Sequence, residues 1–386
     1  VFKGVWKEKG DFEEADKAVA VLGVWFASLC WHTGNNQKRL EYNEKALAIR
    51  EKVLSVDHPD LATSYNNLAI TYGDLGEHRK SLEYHEKALA IREKVLPEDH
   101  PHLASSFNNL AATYNGMGDF QKCIEYLEKA HSIWEKVLPV DHPDLALSYN
   151  NLASTYGDLG EFQKRLEYHE KALSIWEKVL PMDHPDLAIS YNNLSSTYGA
   201  LGEHRKSLEY HEKALAIREK VLPEDHPHLA RSYNNLAETY RALGEYPKSL
   251  EYNEKALAIR EKVLPEDHPH LASSFNNLAA TYNGMGDFQK CIEYLEKAHS
   301  IWEKVLPVDH PDLALSYNNL ASTYGDLGEF QKRLEYHEKA LSIWEKVLPM
   351  DHPDLAISYN NLSSTYGALG EHRKSLEYHE KALAIR

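Results

Sequence analysis

An asparagine recurs every 42 residues along the chain, as Asn66, Asn108, Asn150, Asn192, Asn234, Asn276, Asn318 and Asn360. A carboxamide both donates and accepts hydrogen bonds, so a row of them suits holding peptide backbone without reading its side chains. One copy differs. Residues 226–267 carry Arg231, Asn234, Glu238 and Arg241 at spacings of three, four and three, which share one helical face. Two guanidiniums beside a carboxamide favour an acidic side chain or a C-terminal carboxylate. The competing expectation is an exposed Glu238–Arg241 pair worth roughly 0.3 kcal/mol. Catalysis needs a single asymmetric meeting of nucleophile, base and oxyanion donor, whereas acids and amides here recur copy after copy. The sequence has no glycine-rich phosphate loop, no HExxH and no paired-cysteine site, so it implies no enzyme, no cofactor and no metal. The pairs His100/His102, His226/His228 and His268/His270 flank a proline and read as helix starts rather than metal ligands.

The unit that must position these side chains is plainest at residues 58–99. Leu61, Tyr65, Leu68, Tyr72 and Leu75 alternate spacings of four and three, which predicts a helix from Pro59 to Leu75 with one apolar stripe. Asp57, His58 and Pro59 supply a capping side chain and a first-turn proline, and Gly76 turns the chain. A second helix, from about Glu77 to Leu96, aligns Ser81, Leu82, His85, Ala88, Leu89, Arg92, Val95 and Leu96. One antiparallel pair leaves both stripes partly bare, so neighbouring pairs must cover them. The His-Pro opening returns at His100, His142, His184, His226, His268, His310 and His352, which is the signature of a stacked array.

The Tyr65–Leu68–Tyr72–Gly76–Ala88 pattern resembles the tetratricopeptide repeat. The 42-residue period, the HPD opening, the YNNLA core and the KALAIREKVL second helix are similar to the repeats of kinesin light chain. They are also similar to nephrocystin-3-like repeats and to receptors that join such arrays to a nucleotide-binding domain. The resemblance implies an all-α tetratricopeptide-repeat solenoid, a right-handed superhelix of stacked antiparallel helix pairs. It divides the chain into an unassigned segment at 1–15, a degenerate first repeat at 16–57 and eight repeats at 58–386, the last truncated. In such arrays the first helices line the concave face, and the Asn66 column would lie there. Helices packed about 10 Å apart, against a peptide rising about 3.3 Å per residue, would offer one asparagine every three residues or so. That is an extended-peptide groove. The adjacent Asn67 column reads as structural. Kinesin-light-chain repeats, by resemblance, take cargo peptides with an aromatic residue among acidic ones, which the Arg231–Arg241 rung would suit.

Other columns carry less. Trp134, Trp176, Trp302 and Trp344 alternate with Arg50, Arg92, Arg218, Arg260 and Arg386 on the second helix, which fits packing at the seam between repeats. The His85 column reads the same way. Arg39, Arg165 and Arg333 stand where Ser81 stands and are expected to snorkel outward along their methylenes. Residues 18–31 fit a degenerate capping helix, with Gly23 in the Tyr65 column. Residues 254–386 repeat residues 86–218 without a change, an offset of four whole repeats that leaves every interface intact. The opening Val1 and the halt at Arg386, where other copies continue, read as a segment of a longer protein.

The net charge of −16 opposes binding to nucleic acid or to anionic membrane surfaces. Three cysteines form no disulfide framework, which points to a reducing, cytoplasmic setting. Three readings follow: a kinesin-light-chain-like cargo adaptor, the sensor or scaffold array of a larger signalling or innate-immune receptor, and a structural spacer. The first is favoured as a non-enzymatic scaffold for protein or peptide partners. Reaching kinesin heavy chain would need a heptad coiled coil, which this sequence lacks. The second would need an upstream nucleotide-binding loop.

Overall fold

A computed structural model describes residues 9–385, with side chains from residue 16 onward. All regular structure among the described residues is helical. The helices are α1 (Lys9–His32), α2 (Asn36–Val53), α3 (Pro59–Asp74), α4 (His78–Val95), α5 (Pro101–Gly116), α6 (Phe120–Val137), α7 (Pro143–Asp158) and α8 (Phe162–Val179). They continue as α9 (Pro185–Ala200), α10 (His204–Val221), α11 (Pro227–Ala242), α12 (Tyr246–Val263), α13 (Pro269–Gly284), α14 (Phe288–Val305), α15 (Pro311–Asp326), α16 (Phe330–Val347), α17 (Pro353–Ala368) and α18 (His372–Ala384). Two compact units divide between Met182 and Asp183, α1–α8 in one and α9–α18 in the other. Within each unit every odd helix packs against the even helix that follows it, and each pair packs on the next.

The helix ends follow from local chemistry. His58 Nδ1 accepts the Asp60 backbone N–H at 3.1 Å, so the capping side chain is the histidine, while Asp57 pairs with Lys94 at 2.9 Å. At the other end Glu77 N–H donates to the Tyr72 carbonyl and Gly76 N–H to the Gly73 carbonyl, both at 2.9 Å. This paired closure requires a left-handed residue, and Gly76 supplies it with φ +76°. Equivalent histidine caps and left-handed glycines recur in later repeats.

The apolar stripe was only half of what the first helix buries. Leu61, Leu68 and Tyr72 are buried as expected, but so are Ala62, Ser64, Ala69 and Thr71. The helix is sandwiched between its own partner and the preceding repeat, and small side chains allow the second approach. Leu75, expected in the stripe, is the half-buried C-cap.

The arginines of the Ser81 column do not all reach outward. Arg39 is buried and donates from Nη1 to Asp74 of α3, because a carboxylate on the next helix meets it there. Arg333 lies with its Cδ over Gly325 and reaches Ser364 Oγ at 3.4 Å. Gly23 does bring α1 close to α2, since a Cβ there would stand 3.2 Å from Ala46 Cβ. Among the described residues no helix is long and apolar enough to cross a membrane.

Candidate functional site

All eight asparagines of the Asn66 column are half-buried. Their carboxamides are partly committed within the protein. Asn66 Oδ1 accepts from Asn109 Nδ2 at 2.8 Å, and Asn192 Oδ1 accepts from Asn235 Nδ2 at 2.9 Å. At these two seams a member of the Asn67 column, Asn109 or Asn235, thus ties neighbouring first helices together. An asparagine so tied keeps its Nδ2 donors and loses its free acceptor. Asn318 Oδ1 lies 3.1 Å from His337 Nδ1. By contrast Asn108 Oδ1 and Asn276 Oδ1 are buried without a partner.

The charged rung assembles with one member exchanged. Between α9 and α11, over α10, lies a cavity of about 500 Å3 lined by Asn192, His204, His211, Arg231, Glu238 and Arg241. Asn234 is not in its lining. With its amide turned to satisfy its neighbours, Asn234 Oδ1 accepts from Arg260 Nη1 and Nη2, each at 2.7 Å. Helical spacing put Asn234 on the face of Arg231 and Arg241, but Arg260 from the next helix draws its carboxamide to the following seam. Asn192, one repeat earlier, takes its place. Comparable cavities around Asn108 and Asn276 are smaller, about 190 and 180 Å3, with Cys123 and Leu127 or Cys291 and Leu295 on the floor.

Arg231, Glu238 and Arg241 are all exposed. The Glu238–Arg241 ion pair does not form, and among the described residues neither arginine has a carboxylate partner. His211 is buried, with Nδ1 3.0 Å from Thr239 Oγ1. Burial, and then the nearby Arg218 charge, lower its pKa to about 4, so the imidazole is neutral at pH 7.

The Arg/Trp column is a seam, as its spacing suggested. Arg92 Nη1 donates to Ser106 Oγ, Arg218 Nη1 to Ser232 Oγ and Arg260 Nη1 to Ser274 Oγ, each at 2.6 Å. Where tryptophan replaces arginine, Trp134 and Trp302 pack against the next repeat, and His131 or His299 takes over the serine at 3.0 Å. Arg386 lies outside the described residues. No signal in a single repeat reveals this switch; it needs Arg92 and Leu89 read together with Trp134 and His131.

A tetratricopeptide-repeat model matches residues 19–94, 102–178, 158–220, 186–262, 270–346 and 334–386. The chain belongs to the tetratricopeptide-repeat family. Its fold is the all-α right-handed solenoid of stacked antiparallel pairs that this family shares. The tetratricopeptide array is 33% identical to a variant of the nearly identical TPR-like repeats from a Podosopora anserina candidate kinesin light chain. That match covers 53% of this chain and 97% of the other, with a TM-score of 0.50. A Pyrococcus horikoshii signal-transduction ATPase with numerous domains, which carries a tetratricopeptide repeat sensor, matches at 17% identity and TM-score 0.61. That match covers 99% of this chain and 54% of the ATPase, so the tetratricopeptide array spans about half the length of that protein. The apo quorum sensor NprR from B. thuringiensis matches at 15% identity and TM-score 0.60, over 97% and 99% of the two chains. The last two likenesses are of fold. A search of curated proteins returned no match. Among the described residues no group of three or more His, Cys, Asp and Glu is placed to hold a metal ion.

Proposed function

We propose that this array, with its eight repeats at 58–386, is a non-catalytic scaffold that holds an extended peptide along its first helices. The α9–α11 seam is its selective rung, and it takes an acidic side chain or a C-terminal carboxylate. One observation carries the reading. Asn192, its acceptor occupied by Asn235 and its amide donors uncommitted by that bond, lines a cavity where Arg231 and Arg241 have no carboxylate partner among the described residues, in a protein of net charge −16. Charge-assisted hydrogen bonds of this kind favour carboxylates over neutral groups. Glu238 at the same cavity disfavours a second acidic residue beside the first.

We place the array in the sensor or scaffold region of a larger signalling or innate-immune receptor in preference to a kinesin-light-chain cargo adaptor. Support comes from extent: the repeat-sensor ATPase of Pyrococcus aligns over 99% of this chain, the kinesin-light-chain-type repeats over 53%. The full transcript tests this choice. A GxxxxGK[ST] loop upstream upholds the receptor reading, and a heptad coiled coil there restores the motor adaptor.

Binding itself is tested by fluorescence anisotropy with degenerate peptide libraries bearing glutamate or glutamine at a fixed centre. Arg241→Asn, the residue that stands at Asn115 and Asn283, keeps the fold and is expected to weaken the glutamate library about tenfold, or about 1.4 kcal/mol. Equal binding of both libraries, or no effect of the substitution, rejects the rung.

A further inference from the structure

Arg231 lines a second cavity as well. At the N-terminal ends of α9 and α11 a space of about 360 Å3 is lined by Ile189, Asn192, Arg218, Val221, His228 and Arg231. It adjoins the cavity of the carboxylate rung, with Asn192 and Arg231 common to both. No carboxylate lines it. Arg218 uses Nη1 on Ser232 Oγ at 2.6 Å, and among the described residues it has no ion-pair partner. Both guanidiniums line this one cavity, and the charge of Arg231 adds to burial in lowering the pKa of Arg218.

This meeting occurs at one seam among the described residues. Arg92 and Arg260 make the same serine latch, but the column of Arg231 holds Ser105 and Ser273 in the helices they face. Arg50 faces Thr63 in the same way. Five other copies carry aspartate at the position of His228, namely Asp60, Asp144, Asp186, Asp312 and Asp354. Among the described residues, here alone a second guanidinium shares the cavity with the latch arginine while the local carboxylate is replaced by an imidazole.

We propose that this cavity receives a phosphorylated serine or threonine side chain of the bound peptide. The proposal rests on the groove reading and names a second specificity within it. A phosphoryl group carries about −1.5 to −2 charge at pH 7 and three acceptor oxygens. Two planar forks, the His228 ring and the Asn192 amide match that set of acceptors better than a single carboxylate does. Ile189 and Val221 give the β-carbon and, in threonine, its methyl an apolar wall.

The test uses three degenerate libraries with phosphothreonine, glutamate or threonine fixed at the centre, titrated against the whole chain by fluorescence anisotropy. Two variants borrow residues the same columns already hold, His228→Asp and Arg231→Ser, and circular dichroism melts check that each folds. The expected result is at least about tenfold tighter binding of the phosphothreonine library than of the glutamate one, with the difference lost in both variants. Equal affinity for phosphothreonine and glutamate overturns the proposal and leaves the groove standing. A preference for phosphothreonine that survives both variants also overturns it, since the group would then lie elsewhere. Failure of all three libraries rejects the groove and the phosphoryl site together.

Discussion

Asn235 on α11 donates from Nδ2 to Asn192 Oδ1 on α9, 2.9 Å away and one repeat back. The bond joins two first helices of unit 2 and fixes which end of the Asn192 carboxamide is left for a ligand. Asn109 and Asn66 make the same bond at 2.8 Å in the other unit. At these two seams the adjacent asparagine columns therefore have different duties: Asn109 and Asn235 hold the asparagine one repeat back, and Asn66 and Asn192 keep their donors.

Asn235→Ala is expected to cost about 1 kcal/mol of stability, the ordinary net worth of such a bond. It also frees the Asn192 acceptor, so discrimination between the glutamate and glutamine libraries should narrow. Urea denaturation and anisotropy measure the two effects, and an unchanged ratio of affinities counts against donor-only presentation.

Arg92→Leu removes a charged donor from Ser106 and leaves that buried hydroxyl with only the His102 carbonyl. A loss of about 1.5–3 kcal/mol is expected. The double change Arg92→Trp with Leu89→His recreates the Trp134–His131 seam against Ser106 and should recover most of it. Urea midpoints of the three proteins decide the matter, because a double variant no better than Arg92→Leu denies that the two seams are interchangeable.

Acid should loosen the stack. His85, His169, His211 and His337 are buried in the folded protein, with pKa values lowered from 6.5 to about 4, mainly by burial. Below pH 6.5 the unfolded chain binds protons that the folded one refuses, so stability falls as pH falls. The contribution is intact above about pH 6.5 and is lost progressively down to about pH 4. His211→Leu, the residue type of Leu127 and Leu295 in that column, should flatten the fall of melting temperature between pH 7 and 4. Parallel profiles for variant and parent would exclude His211 as a contributor.

Gly76→Ala should cost about 1–2 kcal/mol, the penalty for an L side chain in the left-handed region. Nothing lies within 4 Å of a Cβ built there, so the strain is in the backbone and not in packing. Gly202→Ala should cost the same for the same reason. A substantially smaller loss in urea denaturation would mean that the turn relaxes.

The sequence by itself determined the elements and their order. A 42-residue period, stripes at spacings of three and four, and a glycine at each left-handed turn leave little freedom in where helices begin and end. The expected span Pro59 to Leu75 became Pro59–Asp74, and Glu77 to Leu96 became His78–Val95. Local signals suffice there because backbone geometry is decided within a few residues. The same spacing put Arg231, Glu238 and Arg241 on one face, and the three line one cavity.

Tertiary structure decided which partners those side chains meet. Helical periodicity says which residues share a face, but not which neighbour approaches that face or at what height. Arg260 therefore took Asn234 away from the rung, Asn192 entered it from the preceding repeat, and Asp74 turned Arg39 from a snorkelling side chain into a buried one. The second cavity, with Arg218 from the end of one helix and Arg231 from the start of the next but in one space, was invisible for the same reason. Its members belong to two repeats, and only stacking brings them together.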